Sequence, residues 1–119
     1  MGCKMLGLRF DLCSDFLLSF RFKGCMLNLS SFYGLSLKKT IFENCKLLEV
    51  DFVETDLTTS SFDGCDLQRA IFDRSILERA DFRAAYNFNI DPERNKVKKA
   101  KFSRDGVVGL LGKYDIVVD

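Results

Sequence analysis

Three cysteines recur at one fixed interval: Cys25, Cys45 and Cys65. Thiols in such a series are the raw material of a soft-metal site or a redox switch. The full set adds Cys3 and Cys13, giving spacings of 10, 12, 20 and 20 with no C-x-x-C pair and no histidine in the chain. That excludes a zinc finger or ribbon. The odd count argues against a disulfide framework, and no signal-like segment opens the sequence. Reduced thiols and a cytoplasmic setting are expected. Met1-Gly2 opens like a lipid-anchor motif, but Leu6 stands where a myristoylation pattern wants Ser or Thr.

Carboxylates form the second group with chemical potential. Glu43, Glu49, Asp51, Glu54 and Asp56 crowd a short stretch, continued by Asp63 and Asp66. Paired acids can serve acid–base catalysis when they line a pocket. A belt of them can bind a cationic partner. Basic residues follow: Arg69, Arg74, Arg79 and Arg83, then Lys96, Lys98, Lys99, Lys101 and Arg104. Eighteen basic and seventeen acidic residues leave a net charge of +1, so bulk charge names no partner. The charge is nonetheless segregated: +4 over residues 1–41, −7 over 42–93 and +4 over 94–119. Ser60-Ser61 has no histidine to activate it, and no glycine-rich phosphate loop follows a strand.

What positions these groups is a repeat. In steps of five from Phe22 the chain reads Phe22, Leu27, Phe32, Leu37, Phe42, Leu47, Phe52, Leu57, Phe62, Leu67, Phe72, Leu77 and Phe82. Phe and Leu alternate without a break. Chance would give thirteen such hits on the order of one time in a hundred million at this composition. Two residues before each next member the side chain is small in nearly every case: Cys25, Ser30, Thr40, Cys45, Thr55, Ser60, Cys65, Ala70, Ser75 and Ala80. Val50 is tolerable and Leu35 is a misfit. The remaining positions are mostly polar.

A period of five suits neither a helix nor a flat strand, since both would scatter the large residues over opposite faces. It suits a chain that turns a corner every five residues and keeps each central side chain inside. The segments FKGC, FENC and FDGC at 22, 42 and 62 show a higher period of 20. One coil thus holds four fives, and successive coils pair as parallel strands. Under this reading the interior is packed Phe and Leu. The acidic pairs then sit on outward corners rather than in a pocket, and an enzyme is not expected. The cysteines fill small inward slots that Ser, Thr and Ala fill elsewhere, so the slot selects for size.

The motifs Ala80-Asp81-Phe82 and Thr55-Asp56-Leu57 give the pattern a name: the chain resembles the pentapeptide-repeat family across residues 20–84. The resemblance implies an all-β solenoid, a right-handed quadrilateral parallel β-helix of about four coils. One domain is expected over 1–119. Residues 1–21 form an imperfect first coil with a bulge, since Phe20 stands where the small partner of Phe22 belongs. Residues 22–85 form regular coils. Residues 86–119 form an irregular last coil and a cap. There Ser103 should cap a short helix from Gly106 to Leu111, with Gly112 ending it and Tyr114 to Val118 forming a strand. Val107, Val108, Leu110 and Leu111 should close the end, and Tyr86 and Phe88 should pack.

Solenoid ends need cover. Either further coils precede Met1 or a second copy covers the first one. The quinolone-resistance members of the family resemble acidic rods that present themselves to type II topoisomerases and dimerise through a short C-terminal helix. By that resemblance Val107, Leu110 and Leu111 are candidate dimer contacts. The belt of Glu43, Glu49, Asp51, Glu54, Asp56, Asp63 and Asp66 is the candidate DNA-mimicking surface, with DNA gyrase its partner. This chain is short and near neutral, so the leading expectation is a non-enzymatic protein-binding or scaffold module whose partner the sequence does not name. No cofactor, metal, direct nucleic-acid contact or membrane partner is expected, and no apolar run approaches the roughly 18 residues of a span.

Overall fold

The computed structural model describes residues 3–4, 21–114 and 116–117. Among the described residues five short strands are defined: β1 (Cys3–Lys4), β2 (Arg21–Lys23), β3 (Cys25–Met26), β4 (Ile41–Glu43) and β5 (Ser61–Asp63). All pairing is parallel. β2, β4 and β5 stack in the register Phe22–Phe42–Phe62, so each step along the axis is four units of five. Isolated bridges continue the same step in further columns: Met26–Lys46–Asp66–Tyr86, Ser31–Asp51–Ile71 and Ser36–Asp56–Ile76–Lys96. The column of β5 runs on through Asp81 to Lys101.

Most five-residue units are built the same way, although Ser75 N–H donates to Asn95 Oδ1 at 2.9 Å instead of closing its own corner. The central Phe or Leu points inward, and its carbonyl accepts from the N–H three residues on, as in Ser30 to Leu27 at 3.1 Å and Ser60 to Leu57 at 3.0 Å. That bond closes a corner. The residue before the donor takes a left-handed backbone: Gly24, Gly34 and Gly64 where glycine supplies it, but Leu29, Lys39, Asn44, Glu49, Glu54, Thr59, Arg69, Arg74 and Arg79 elsewhere. A side chain is strained there by roughly 1–2 kcal/mol, and a β-branched one most. The other backbone groups bond up and down the axis, as in Phe52 N–H to the Ile71 carbonyl at 2.9 Å and Ile71 N–H to the Val50 carbonyl at 2.9 Å. Thr59, at φ 61°, is the β-branched corner. Thr59→Gly is therefore expected to raise stability by about 1 kcal/mol, read as a higher urea midpoint. A lower midpoint would contradict the corner geometry.

The core is the predicted series. Phe32, Phe42, Phe52, Phe62 and Phe82 are fully buried, as are Leu27, Leu37, Leu47, Leu57, Leu67 and Leu77. Phenylalanines one coil apart stack face to face at 4.9–5.4 Å, from Phe22 to Phe102 on one side and from Phe32 to Phe72 on the other. The two stacks meet edge to face across the interior, as in Phe42 and Phe52 at 6.2 Å. Both geometries are favoured by the ring quadrupole. The misfit Leu35 is only partly buried.

The ends depart from the regular pattern. At the start, Cys3 pairs with Cys25, where the regular step would bring Lys23 opposite it. The register positions Leu12 and Leu17, with Phe10, Asp15 and Phe20, lie outside the described residues. At the other end the last coil keeps the regular step through Tyr86, Lys96 and Lys101. Phe88 and Ile90 replace the missing leucine as inward residues. Phe88 sits 5.6 Å from the rings of both Phe82 and Phe102.

The expected cap helix is a 3₁₀ helix, Gly106–Leu110, and its N-cap is Asp105 rather than Ser103, with no side-chain cap bond; Ser103 Oγ, further back in the chain, accepts from Gly106 N–H at 2.9 Å. Gly112 does not end it. It opens a second 3₁₀ turn, Gly112–Tyr114, and the expected terminal strand is absent at Tyr114, Ile116 and Val117. Asp115 and Val118 lie outside the described residues. The glycines explain the choice of helix. With three residues per turn, Gly106, Gly109 and Gly112 share one face. A Cβ on Gly109 would lie 2.6 Å from the Phe88 ring and carbonyl, and one on Gly112 would lie 2.5 Å from Asn89. The cap thus lies backbone-close on the end of the coil, and Ile90 N–H donates to the Gly109 carbonyl at 2.8 Å. Val107 and Val108, expected to close that end, are more than 40% exposed. Closure falls instead to Phe88, Ile90, Phe102 and the half-buried Leu110.

Candidate interaction surfaces

The cysteine column lies inside. Cys25, Cys45 and Cys65 are free and buried at corresponding corners of three coils. Backbone carbonyls engage their thiols: Cys45 donates to Phe22 and Cys65 to Phe42, both at 3.3 Å. The same kind of bond, reaching back one coil to a phenylalanine carbonyl, comes from Thr55, Ser75 and the amide of Asn95 at 2.6–3.0 Å. Most slots after a Phe side thus take a donor as well as a small volume, Leu35 and Ala85 being the exceptions, which size alone did not reveal. The slot after a Leu side is less demanding and holds Val50, Ala70 and Ala80. The neighbouring Cys45 thiol, followed by burial, pushes Cys65 up. Reactivity still requires access, and neither thiol is accessible. Cys45 and Cys65 are expected to react with a thiol reagent no faster than the protein unfolds. Rapid labelling of the folded chain would contradict this packing. Among the described residues no cluster of His, Cys, Asp or Glu has a metal-binding arrangement.

The acidic belt winds around the molecule. Glu43 and Asp63 follow the column of Phe42 and Phe62, Asp51 and Glu54 lie on the column of Phe52, Asp56 on that of Leu57, and Glu49 and Asp66 on that of Leu47 and Leu67. Three members are paired with cations one coil away: Glu43 with Arg21, Asp56 with Lys38 at 3.6 Å, and Glu54 with Arg74 at 3.2 Å. Three have a local backbone role. Asp51, Asp56 and Asp66 each accept from the N–H two residues on, at 2.8–3.1 Å. Asp81 does the same for Arg83. These aspartates hold the corner turns. The sequence signal was available: each stands directly before a central Phe or Leu.

The column Ser31–Asp51–Ile71 carries a different surface. Tyr33 and Ile71 are about half exposed on that wall, Ile71 on the column itself and Tyr33 two residues along, one coil below the half-buried Val53. A polar chain runs along its edge from Tyr33 to Glu54 (3.2 Å), Arg74, Asp73 and Arg94. The Arg94 guanidinium holds the Asp73 carboxyl below the usual range, and Glu54 raises the Tyr33 phenol. A hollow of about 530 Å³ lies between Tyr86–Asn89 and the cap and is lined by Phe88, Asp105, Gly106, Val108 and Gly109. Phe88 packs as expected, but Tyr86 is half exposed. Of the candidate dimer contacts, Val107 is exposed while Leu110 and Leu111 are half buried. Among the described residues no helix is long and apolar enough to cross a membrane.

Fold and surface together define a repeat solenoid with a filled interior. A family model described as a pentapeptide repeat region matches residues 16–86, and the chain belongs to that family. Among solved structures it is similar to HetL, a pentapeptide repeat protein involved in heterocyst differentiation regulation from the cyanobacterium Nostoc sp. strain PCC 7120. The identity is 20% and the TM-score 0.66, over 87% of this chain and 48% of HetL. The chain thus spans about half the length of that relative. A pentapeptide repeat protein of the Arabidopsis thaliana thylakoid lumen matches at 20% identity and TM-score 0.44, over 72% of this chain and 62% of its own. The plasmid-mediated fluoroquinolone resistance protein QnrB1 matches at 16% identity and TM-score 0.27, over 95% of this chain and 81% of its own. No curated protein matches.

Proposed function

We propose that the chain is a non-enzymatic binding module that offers one wall of a right-handed, four-sided coil of about four turns to a protein partner. The observation that carries this reading is the wall of Tyr33, Val53 and Ile71. Apolar and aromatic side chains stand there on a backbone whose every coil is bonded to the next. Tyr and Arg are the residues that anchor protein interfaces, and the flanking Arg74 and Arg94 are already held in place by Glu54 and Asp73. A wall fixed before binding loses little entropy on association.

The DNA-mimic alternative asks for one long acidic face. DNA carries one charge per about 1.7 Å of its axis. The belt here winds around four columns and is partly neutralised by Arg21, Lys38 and Arg74. Affinity capture from the native cell, with Tyr33→Glu plus Ile71→Glu as the comparison, tests the reading. A partner captured by the parent chain and lost from the double variant is expected. An identical captured set would overturn the wall assignment. A type II topoisomerase lost on neutralising Asp51 and Asp56 would promote the alternative.

A further inference from the structure

We propose that the capped end of the coil docks on an anionic lipid surface, a contact separate from the side wall. The observation is a juxtaposition that the linear sequence hid. Lys96, Lys98, Lys99 and Lys101 occupy successive outward positions as the last coil rounds one corner. Lys96 sits above Ile76, and Lys101 above Asp81. Arg79 lies one coil below, its N–H bonded to the Lys98 carbonyl at 3.0 Å, and Arg104 extends the band toward the cap. None of these six cations has an ion pair among the described residues. Arg83, Arg74 and Arg94 do, with Asp81, Glu54 and Asp73. The acids bordering the band are Glu78, Asp81, Glu93 and Asp105, and Asp81 is already bonded to Arg83.

The apolar part follows three residues after Arg104 in the chain, on the cap that closes this end of the coil. The glycine face of the 3₁₀ helix packs on Phe88, and Val107 and Val108 keep more than 40% of their surface exposed, Val108 at the hollow beside Tyr86. Tyr114, Ile116 and Val117 are also more than half exposed, and Tyr86 nearly so. A cluster of lysines bordering exposed aliphatic and tyrosine side chains matches a bilayer interface. Cations meet anionic headgroups, small apolar groups enter the acyl boundary, and tyrosines sit between. Naked nucleic acid would use the cations but leave the aliphatics in water. A symmetric second copy would cover the aliphatics but bring two basic bands together. The expectation of no membrane partner rested on the lack of a spanning segment, and an interfacial contact needs none.

The test is co-sedimentation of the full chain with vesicles. Binding is expected to phosphatidylserine–phosphatidylcholine vesicles, not to phosphatidylcholine alone, with release by added salt. Lys98→Glu with Lys99→Glu should weaken it on the order of tenfold or more. Val107→Asp with Val108→Asp, changing exposed side chains, should weaken it with an unchanged circular dichroism spectrum. Absence of binding to the anionic vesicles overturns the proposal. So does duplex DNA binding that equals vesicle binding and ignores the valine changes. So does a two-chain mass in light scattering that the valine changes return to one chain while vesicle binding is nil. The side-wall reading stands or falls separately, through Tyr33 and Ile71.

Discussion

Phe52→Ala is expected to destabilise the protein by about 3–5 kcal/mol, the range for emptying a phenylalanine site in a packed core. Phe52 has no exposed surface. Its ring stacks on Phe32 at 5.4 Å and Phe72 at 5.0 Å, and meets Phe42 and Phe62 edge-on at 6.2 and 5.8 Å. Removing it interrupts one stack and strips an edge partner from two rings of the other. The backbone cannot collapse into the gap, because the coils above and below are held apart by their ladder bonds. Chemical denaturation of parent and variant measures the loss. A change below about 0.5 kcal/mol, typical of a surface site, would mean that Phe52 does not point inward.

That position was legible because one physical rule repeats. A large apolar side chain every fifth residue can be buried only if the chain turns a corner in each interval. The return of FKGC, FENC and FDGC in every fourth unit then set the coil length. The stacking partners follow from that count. The slot chemistry was half legible. Cys, Ser, Thr and Ala share small volume, but only the folded structure shows that Cys45, Thr55 and Ser75 donate to a carbonyl one coil back. The aspartates of the belt were visible as charge, while their turn-holding bonds depend on backbone geometry. The end of the cap was not legible. Glycines at 106, 109 and 112 look like helix breakers when judged by α-helical propensity. Their spacing of three makes sense only against the Phe88 ring, a contact that sequence does not display.

The second large effect concerns that cap. Gly109→Ala is expected to destabilise by about 1–3 kcal/mol, the cost of forcing an extra methyl into a filled contact. The new Cβ would meet the Phe88 ring and the Phe88 carbonyl at 2.6 Å. Ring and backbone are both fixed, the ring by Phe82 and Phe102. The cap must then lift, which breaks the bond from Ile90 N–H to the Gly109 carbonyl. Thermal melting should fall, and limited proteolysis should cut the chain near the cap sooner. Val108→Ala, at an exposed position of the same helix, should change little. Equal melting of Gly109→Ala and parent would show that the cap does not rest on Phe88.

The central claim is that equivalent residues of successive four-unit coils lie directly above one another, with every central side chain inside. Ring-to-ring nuclear Overhauser contacts test it most directly. The account predicts an unbroken series Phe22–Phe42–Phe62–Phe82–Phe102, matching the stacked rings at 4.9–5.4 Å, and a second series Phe32–Phe52–Phe72. Contacts at any other sequence interval along a stack, or phenylalanine rings that contact only sequence neighbours, would contradict it.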